Sequence, residues 1–159
     1  MLTSAIVITV SDRSAAGERE DAGGPVAVAA LREAGYACAD AVIVPDGADA
    51  VEQALRDALG RAPRLIVTTG GTGVGPRDRT PEGTKRVLEI EVPGIADELR
   101  RRGATEKATA VLSRGLAGVA SGALIVNLPG APRAVASGMP LVVEIAAHAI
   151  AQLAGEDHQ

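Results

Sequence analysis

Two aspartates and a run of glycines are the residues of this chain with the most chemistry to offer. Gly70-Gly71-Thr72-Gly73-Val74-Gly75 follows directly on the apolar stretch Leu65-Ile66-Val67-Thr68-Thr69. Consecutive glycines accept positive φ and let backbone N–H groups approach an anion with no Cβ in the way. Asp78 comes just after, in Pro76-Arg77-Asp78-Arg79-Thr80-Pro81-Glu82, and Asp46 stands in Pro45-Asp46 after an earlier apolar stretch. Two carboxylates brought together can hold Mg²⁺, which takes one or two of them and completes its shell with water or phosphate oxygens. Such an ion clamps a polyphosphate for in-line attack. Each piece also has a plainer use. The glycines can simply turn the chain, Asp78 can pair with Arg77 or Arg79, and Asp46 can be a turn residue ahead of a helix. The loop is not a Walker A motif, because no Gly-Lys-Ser/Thr follows. Nor is it a dinucleotide fingerprint, because Pro76 stands where the third glycine belongs.

Softer candidates lie elsewhere. Ser113-Arg114-Gly115 offers a hydroxyl and a guanidinium suited to phosphate, or a loop cap. Asn127 ends an apolar stretch, where its amide can meet a ligand or satisfy backbone groups. Other chemistries are excluded by count. A single cysteine, Cys38, allows neither a disulfide framework nor a zinc knuckle. The two histidines, His148 in an apolar run and His158 in the tail, supply no His-rich metal site, and neither falls near a strand end, which makes a poor case for a Ser-His-Asp triad. One tyrosine with no Phe or Trp leaves no stacking platform for single-stranded nucleic acid. A net charge of −4 argues against binding a phosphate backbone. Residues 76–135 are locally basic, with ten Lys/Arg against seven Asp/Glu, which fits a small anionic ligand or a solvated helix face. The run Arg100-Arg101-Arg102 reads as the latter.

The elements that must position these residues are legible in the pattern. Ala5–Val10, a stretch around Ala37–Val44, Leu65–Thr69 and Ala123–Leu128 read as strands, nearly continuous in apolar residues as in a sheet buried on both faces. Helices are expected over Pro25–Ala34, from an Asp49 N-cap to Leu59, from a Thr80 N-cap to about Glu89, and over Ile95–Arg102. A last one runs from Pro132, interrupted near Gly138-Met139-Pro140. Strands separated by helices mean crossover connections, so the chain is expected to be α/β: one doubly wound domain over residues 1–159 with a mostly parallel sheet between helices. In such sheets ligands gather beyond the carboxyl ends of the strands. Ser11-Asp12-Arg13, Pro45-Asp46, the glycine loop and Asn127-Leu128-Pro129-Gly130 all stand there. The N-terminal apolar stretch is too short for a signal-peptide core, and the C-terminal one is broken by Glu144 and His148, so a cytoplasmic protein without a membrane span is expected. A flavodoxin-like phospho-acceptor would want Asp and Lys where Gly70 and Asn127 stand.

Thr69-Gly70-Gly71-Thr72-Gly73, Pro76-Arg77-Asp78 and Thr80-Pro81-Glu82 together resemble the signature of the molybdopterin adenylyltransferase family, which includes the G domain of gephyrin. Val10-Ser11-Asp12, Asp21, Pro45-Asp46, Ser113-Arg114 and Asn127-Leu128-Pro129-Gly130 match in the same order, so the resemblance covers nearly the whole chain. It implies a homotrimer of the molybdopterin-binding fold and a nucleotidyltransferase. The implied reaction is Mg²⁺-dependent transfer of AMP from ATP to the molybdopterin phosphate, releasing pyrophosphate, with hand-over of the product to the molybdenum-inserting enzyme. By position, Asp46 and Asp78 are the implied essential carboxylates and metal ligands. Gly70, Gly71, Thr72 and Gly73 are the implied cradle, and Ser11, Asp21, Ser113 and Asn127 line the pocket. Gly103 departs from relatives that carry a polar pocket residue there. The alternative within the family is a non-catalytic trimeric paralogue that binds pterin or nucleotide as a scaffold.

Overall fold

A computed structural model describes residues 2–156. Its first half runs β1 (Ser4–Val10), α1 (Asp12–Ala15), α2 (Gly23–Glu33), β2 (Ala37–Cys38), β3 (Val42–Val44), α3 (Ala48–Leu59) and β4 (Leu65–Thr69). Then follow α4 (Thr80–Lys85), β5 (Ile90–Glu91), α5 (Pro93–Glu106), a 3-10 turn (Ala108–Leu112), β6 (Ala117–Ala120), β7 (Ala123–Leu128) and α6 (Pro132–Leu153). Every residue of β4 and β7 is buried, as are the last four of β1, which is why these segments are apolar at consecutive rather than alternate positions. The three pair in parallel, with Val7, Val67 and Val126 in one row and Thr9, Thr69 and Leu128 in the last.

The sheet order is β2-β1-β4-β7-β6-β5, with β3 also on β1. Residues 37–44, expected as one strand, instead form β2 and β3, both parallel to β1. The antiparallel edge β5-β6 was not foreseen, because two residues and an Ala-Gly-Val-Ala run carry no strand pattern. Successive strand residues point to opposite faces. Ile8, Val10, Ile66 and Ile125 pack with Val51 and Leu55 of α3, while Val7, Val67, Val126 and Leu128 pack with Leu31 of α2 and Val135 and Met139 of α6.

Helix starts differ from the expected caps for physical reasons. Gly47, at φ +114°, precedes α3, and the Asp49 carboxylate pairs with Arg86 at 2.7 Å instead of capping. Thr80 lies inside α4, and its hydroxyl donates to the Gly70 carbonyl at 2.9 Å. Helix α2 begins earlier than expected, with Asp21 accepting the Gly24 N–H at 3.0 Å. Helix α6 runs unbroken through Pro140: Ala136, whose carbonyl loses its partner there, and Pro140 are both exposed, so water can meet that carbonyl. At 22 residues α6 is also long and apolar enough to cross a membrane by length and composition, contrary to the expectation. Its buried stripe packs on α2 and β7, as a core helix does.

Helix α4 sits tightly on α3. A Cβ at Gly83 would lie 2.6 Å from the Ala48 carbonyl oxygen and 2.8 Å from Val51 Cβ. Alanine normally favours a helix over glycine by up to ~1 kcal/mol. Here the clash is with backbone and wins: Gly83→Ala is expected to destabilise by about 1–3 kcal/mol, read as a lowered urea midpoint with unchanged m-value.

Candidate functional site

Because β1, β4 and β7 end in one row, the loops leaving them open onto a common edge of the sheet. Ser11, Asp46, the glycine loop and Asn127 meet there around a cleft of about 1400 Å³. Asp21, Asp78 and Ser113 line the same cleft, so the ten site residues implied by the resemblance all border it, whereas the Arg114 side chain does not. Its far side is formed by α5, the 3-10 turn and the start of α6, with Gly103 among the lining residues.

The glycine loop leaves β4 under tight constraint. Gly70 and Gly71 have φ of +92° and +68°, and a Cβ at Gly70 would collide with the Val10 carbonyl oxygen. Only glycine meets both demands. The Gly70 N–H donates to the Leu128 carbonyl at 2.9 Å. The N–H groups of Gly71, Thr72 and Gly73 find no acceptor among the described residues, which leaves three successive donors in a cleft-lining loop. Such a set suits an anion.

Arg114 holds this loop from behind. Its Nε donates to the Gly73 carbonyl and its Nη2 to the Asp78 carbonyl, each at 2.8 Å, while Nη1 donates to Glu82 at 2.7 Å. Its backbone N–H adds a bond to the Thr72 carbonyl at 2.8 Å. The pairing pushes the Glu82 carboxyl below the usual range and the guanidinium above it. The guanidinium expected to meet a phosphate is therefore taken up in shaping the loop.

Asp46 and Asp78 flank the loop. A Cβ at Gly71 would come within 3.1 Å of Asp46 Oδ1, and one at Gly73 within 3.0 Å of Asp78 Oδ2. Asp78 Oδ2 accepts the Gly75 N–H at 2.9 Å, and Asp46 Oδ2 accepts the Asp12 N–H at 2.9 Å. The remaining oxygen of each carboxylate takes no hydrogen bond among the described residues. Burial pushes the Asp46 carboxyl up, and the neighbouring charges of Asp12 and Asp78 add to the effect against the Asp12 N–H bond. Arg77 holds Asp12 below the usual carboxylate range. No group of three or more metal-ligating side chains occurs among the described residues. Two half-free carboxylates instead fit an ion that takes most of its ligands from water and phosphate.

The other predicted residues divide by what their polar atoms already do. Asn127 is buried, donates to the Thr68 and Thr84 hydroxyls at 2.9 and 3.1 Å, and accepts the Leu116 N–H at 3.0 Å. Its amide ties β4, α4 and β7 together beneath the cleft. Asp21 accepts from the buried Thr9 hydroxyl at 2.7 Å as well as from the Gly24 N–H in the first turn of α2 at 3.0 Å. Ser11 caps α1, accepting the Ser14 N–H at 3.1 Å. Ser113 Oγ makes only a long contact with the Gly115 N–H, 3.4 Å. In the arginine run, Arg100 donates to the carbonyls of Ser113 and Gly115, while Arg101 and Arg102 both pair with Glu98, lowering its carboxyl to about 2. The solvated-face reading holds for Arg101, whereas Arg100 and Arg102 also line the cleft. Asp12 and Arg77 were missed as a unit, since they meet across 65 residues and neither carries a local signal.

Residues 6–149 match the family described as "Probable molybdopterin binding domain". The chain belongs to this family. It is similar to the molybdopterin biosynthesis Mog protein of Mycobacterium ulcerans, at 42% identity and TM-score 0.91, covering 98% of this chain and 99% of that one. It is similar to MoaB of Thermus thermophilus at 36% identity and TM-score 0.89, covering 99% of this chain and 100% of that one. Among curated relatives, a molybdenum cofactor biosynthesis bifunctional protein of Synechococcus elongatus is 41% identical over 154 residues, 97% of this chain and 48% of its own length. A molybdopterin adenylyltransferase of Haemophilus influenzae is 36% identical over 132 residues, 81% of this chain and 67% of its own length. The chain spans about half the length of the bifunctional relatives and about a quarter of the cinnamon protein of Drosophila melanogaster. The family gives the doubly wound architecture its name, a molybdopterin-binding fold.

In this molybdopterin-binding domain, removing Arg114 should free the loop rather than unfold the chain. Arg114→Ala is expected to cost about 2 kcal/mol, the scale of hydrogen bonds to charged groups. Hydrogen exchange should quicken over residues 70–78 well before it does in β1, β4 and β7.

Proposed function

We propose that the chain is a molybdopterin adenylyltransferase. An oxygen of the molybdopterin phosphate attacks the α-phosphorus of ATP, a new P–O–P bond forms, the bond to the β-phosphate breaks, and pyrophosphate leaves. The observation that carries this reading is the pairing of three unsatisfied loop N–H groups with two half-free carboxylates on one sheet edge. The relatives named as adenylyltransferases support it. Mg²⁺ on the nucleotide phosphates would supply charge neutralisation, with Asp46 and Asp78 to hold it. The loop N–H groups orient the phosphates, and fixed backbone donors at Gly75 and Asp12 keep each carboxylate aimed. Positioning of this kind, without a covalent nucleophile, is what such a transfer requires.

The same reading includes a homotrimer, as the family resemblance implies. It places the reaction in the cytoplasm, with hand-over of adenylylated molybdopterin to a molybdenum-inserting enzyme and no nucleic-acid or membrane partner. The deciding assay is pyrophosphate release from Mg-ATP with and without molybdopterin. Release that depends on molybdopterin is expected; none, with ligand binding intact, would make the chain a trimeric binding protein. Light scattering is expected to give three times the chain's 16.0 kDa.

Asp78→Asn removes a charge at constant shape and is expected to lower turnover by about 10²–10³, the scale of a lost electrostatic contact in a transition state, with an unchanged unfolding midpoint. Asp46→Asn should lose turnover too, with a distinct pH signature. The folded state favours protonated Asp46, so its ionised form lowers stability near neutral pH; that penalty fades as pH falls through the raised value and is gone below the ordinary Asp value. Asp46→Asn is therefore expected to match or exceed the parent Tm at pH 7, with the gap closing on acidification. The acid limb of kcat/KM in the parent should lie above the ordinary Asp range.

A further inference from the structure

Asp46 is captured on three sides by residues that no ligand contact requires. Its N–H donates to Asp12 Oδ1 at 3.1 Å, its Oδ2 accepts the Asp12 N–H at 2.9 Å, and its carbonyl accepts from Arg77 Nη2 at 2.9 Å. Arg77 also grips Asp12 with two bonds, Nε to Oδ2 at 3.1 Å and Nη2 to Oδ1 at 3.2 Å. Its guanidinium crosses Gly47, passing 3.8 Å from where a Cβ would stand. Arg77 is the chain neighbour of Asp78, so one side chain links the loop that carries one carboxylate to the loop that carries the other.

We propose that Arg77, acting through Asp12, is a positioning residue that sets the distance between Asp46 and Asp78. This rests on the reading that these two carboxylates share a divalent ion. Stability does not explain the arrangement. The Arg77 and Asp12 side chains are 62% and 44% exposed, and a pair so open to water contributes little to folding. Geometry does explain it: a planar guanidinium can grip a carboxylate with two N–H groups and still reach a carbonyl, which a lysine ammonium on a flexible stem does not reproduce. Arg77 also neutralises Asp12, the third carboxylate in this corner, and so leaves Asp46 and Asp78 as the pair open to a cation.

The test uses the full chain with ATP and Mn²⁺, following bound ion by the loss of the free Mn²⁺ electron paramagnetic resonance signal, beside Mg²⁺ titrations of pyrophosphate release. Arg77→Ala is expected to weaken Mn²⁺ retention about tenfold and lower kcat up to about a hundredfold, the effect of a misplaced group, with Tm nearly unchanged. Arg77→Lys should recover part of the Asp12 pairing and fall between. Parental Mn²⁺ retention in Arg77→Ala overturns the proposal, as does a loss that merely tracks a fall in Tm. Asp46→Asn and Asp78→Asn separate the two levels. If both keep parental Mn²⁺ retention, the shared-ion reading falls and the positioning role with it. If both lose it while Arg77→Ala does not, only the positioning role fails.

Discussion

Gly70 turns out of β4 with its α-carbon pressed against the Val10 carbonyl, and the rest of the site is hung on that contact. The parallel pairing of β1 with β4 brings the two strand ends level, at Thr9 and Thr69. A chain leaving β4 with an ordinary side chain would collide with the end of β1, so the residue there can only be glycine. Once it turns, Thr80 can bond back to its carbonyl, Asp46 can approach Gly71, and Asp78 can close over Gly73 and Gly75. Each carboxylate lies close against the loop because no Cβ at Gly71, Gly73 or Gly75 keeps it off.

Electrostatics then works against comfort. Asp46 is partly buried beside two other carboxylates, an arrangement that disfavours its ionised form. The surroundings answer with fixed donors rather than with a cation directly on it: the nearby guanidinium of Arg77 sits on Asp12. Arg114 likewise faces away from the cleft, toward Glu82 and two carbonyls. Asp46 is left under-compensated, a state that suits a group placed to receive a positive ion.

The buried strands and the sheet-edge site could be read from sequence because each has a local signature. Runs such as Leu65-Ile66-Val67 admit no half-exposed strand, and Gly70-Gly71-Thr72-Gly73 is costly unless the backbone needs it. What could not be read depended on partners remote in sequence. Thr80 looked like a helix cap but bonds to Gly70, and Asp49 looked like one but pairs with Arg86. Arg114 has the chemistry of a phosphate ligand, and only the folded chain brings Glu82 within its reach. Asn127 has the same ambiguity, resolved by Thr68 and Thr84, which lie 59 and 43 residues away. Pro140 argued for a break in α6, but the lost bond falls where water can replace it.

The ends of the sheet have a consequence of their own. One edge is the two-residue β5 and the other is split into β2 and β3, of two and three residues. Ile90, Val42 and Ile43 sit exposed on these edges, and on long flat strands such residues would recruit further chains through open N–H and C=O groups. Edges this brief present too few aligned groups for a foreign strand to register against. The protein can therefore keep a wide, strongly apolar sheet at its centre and still resist growing into larger aggregates from either side.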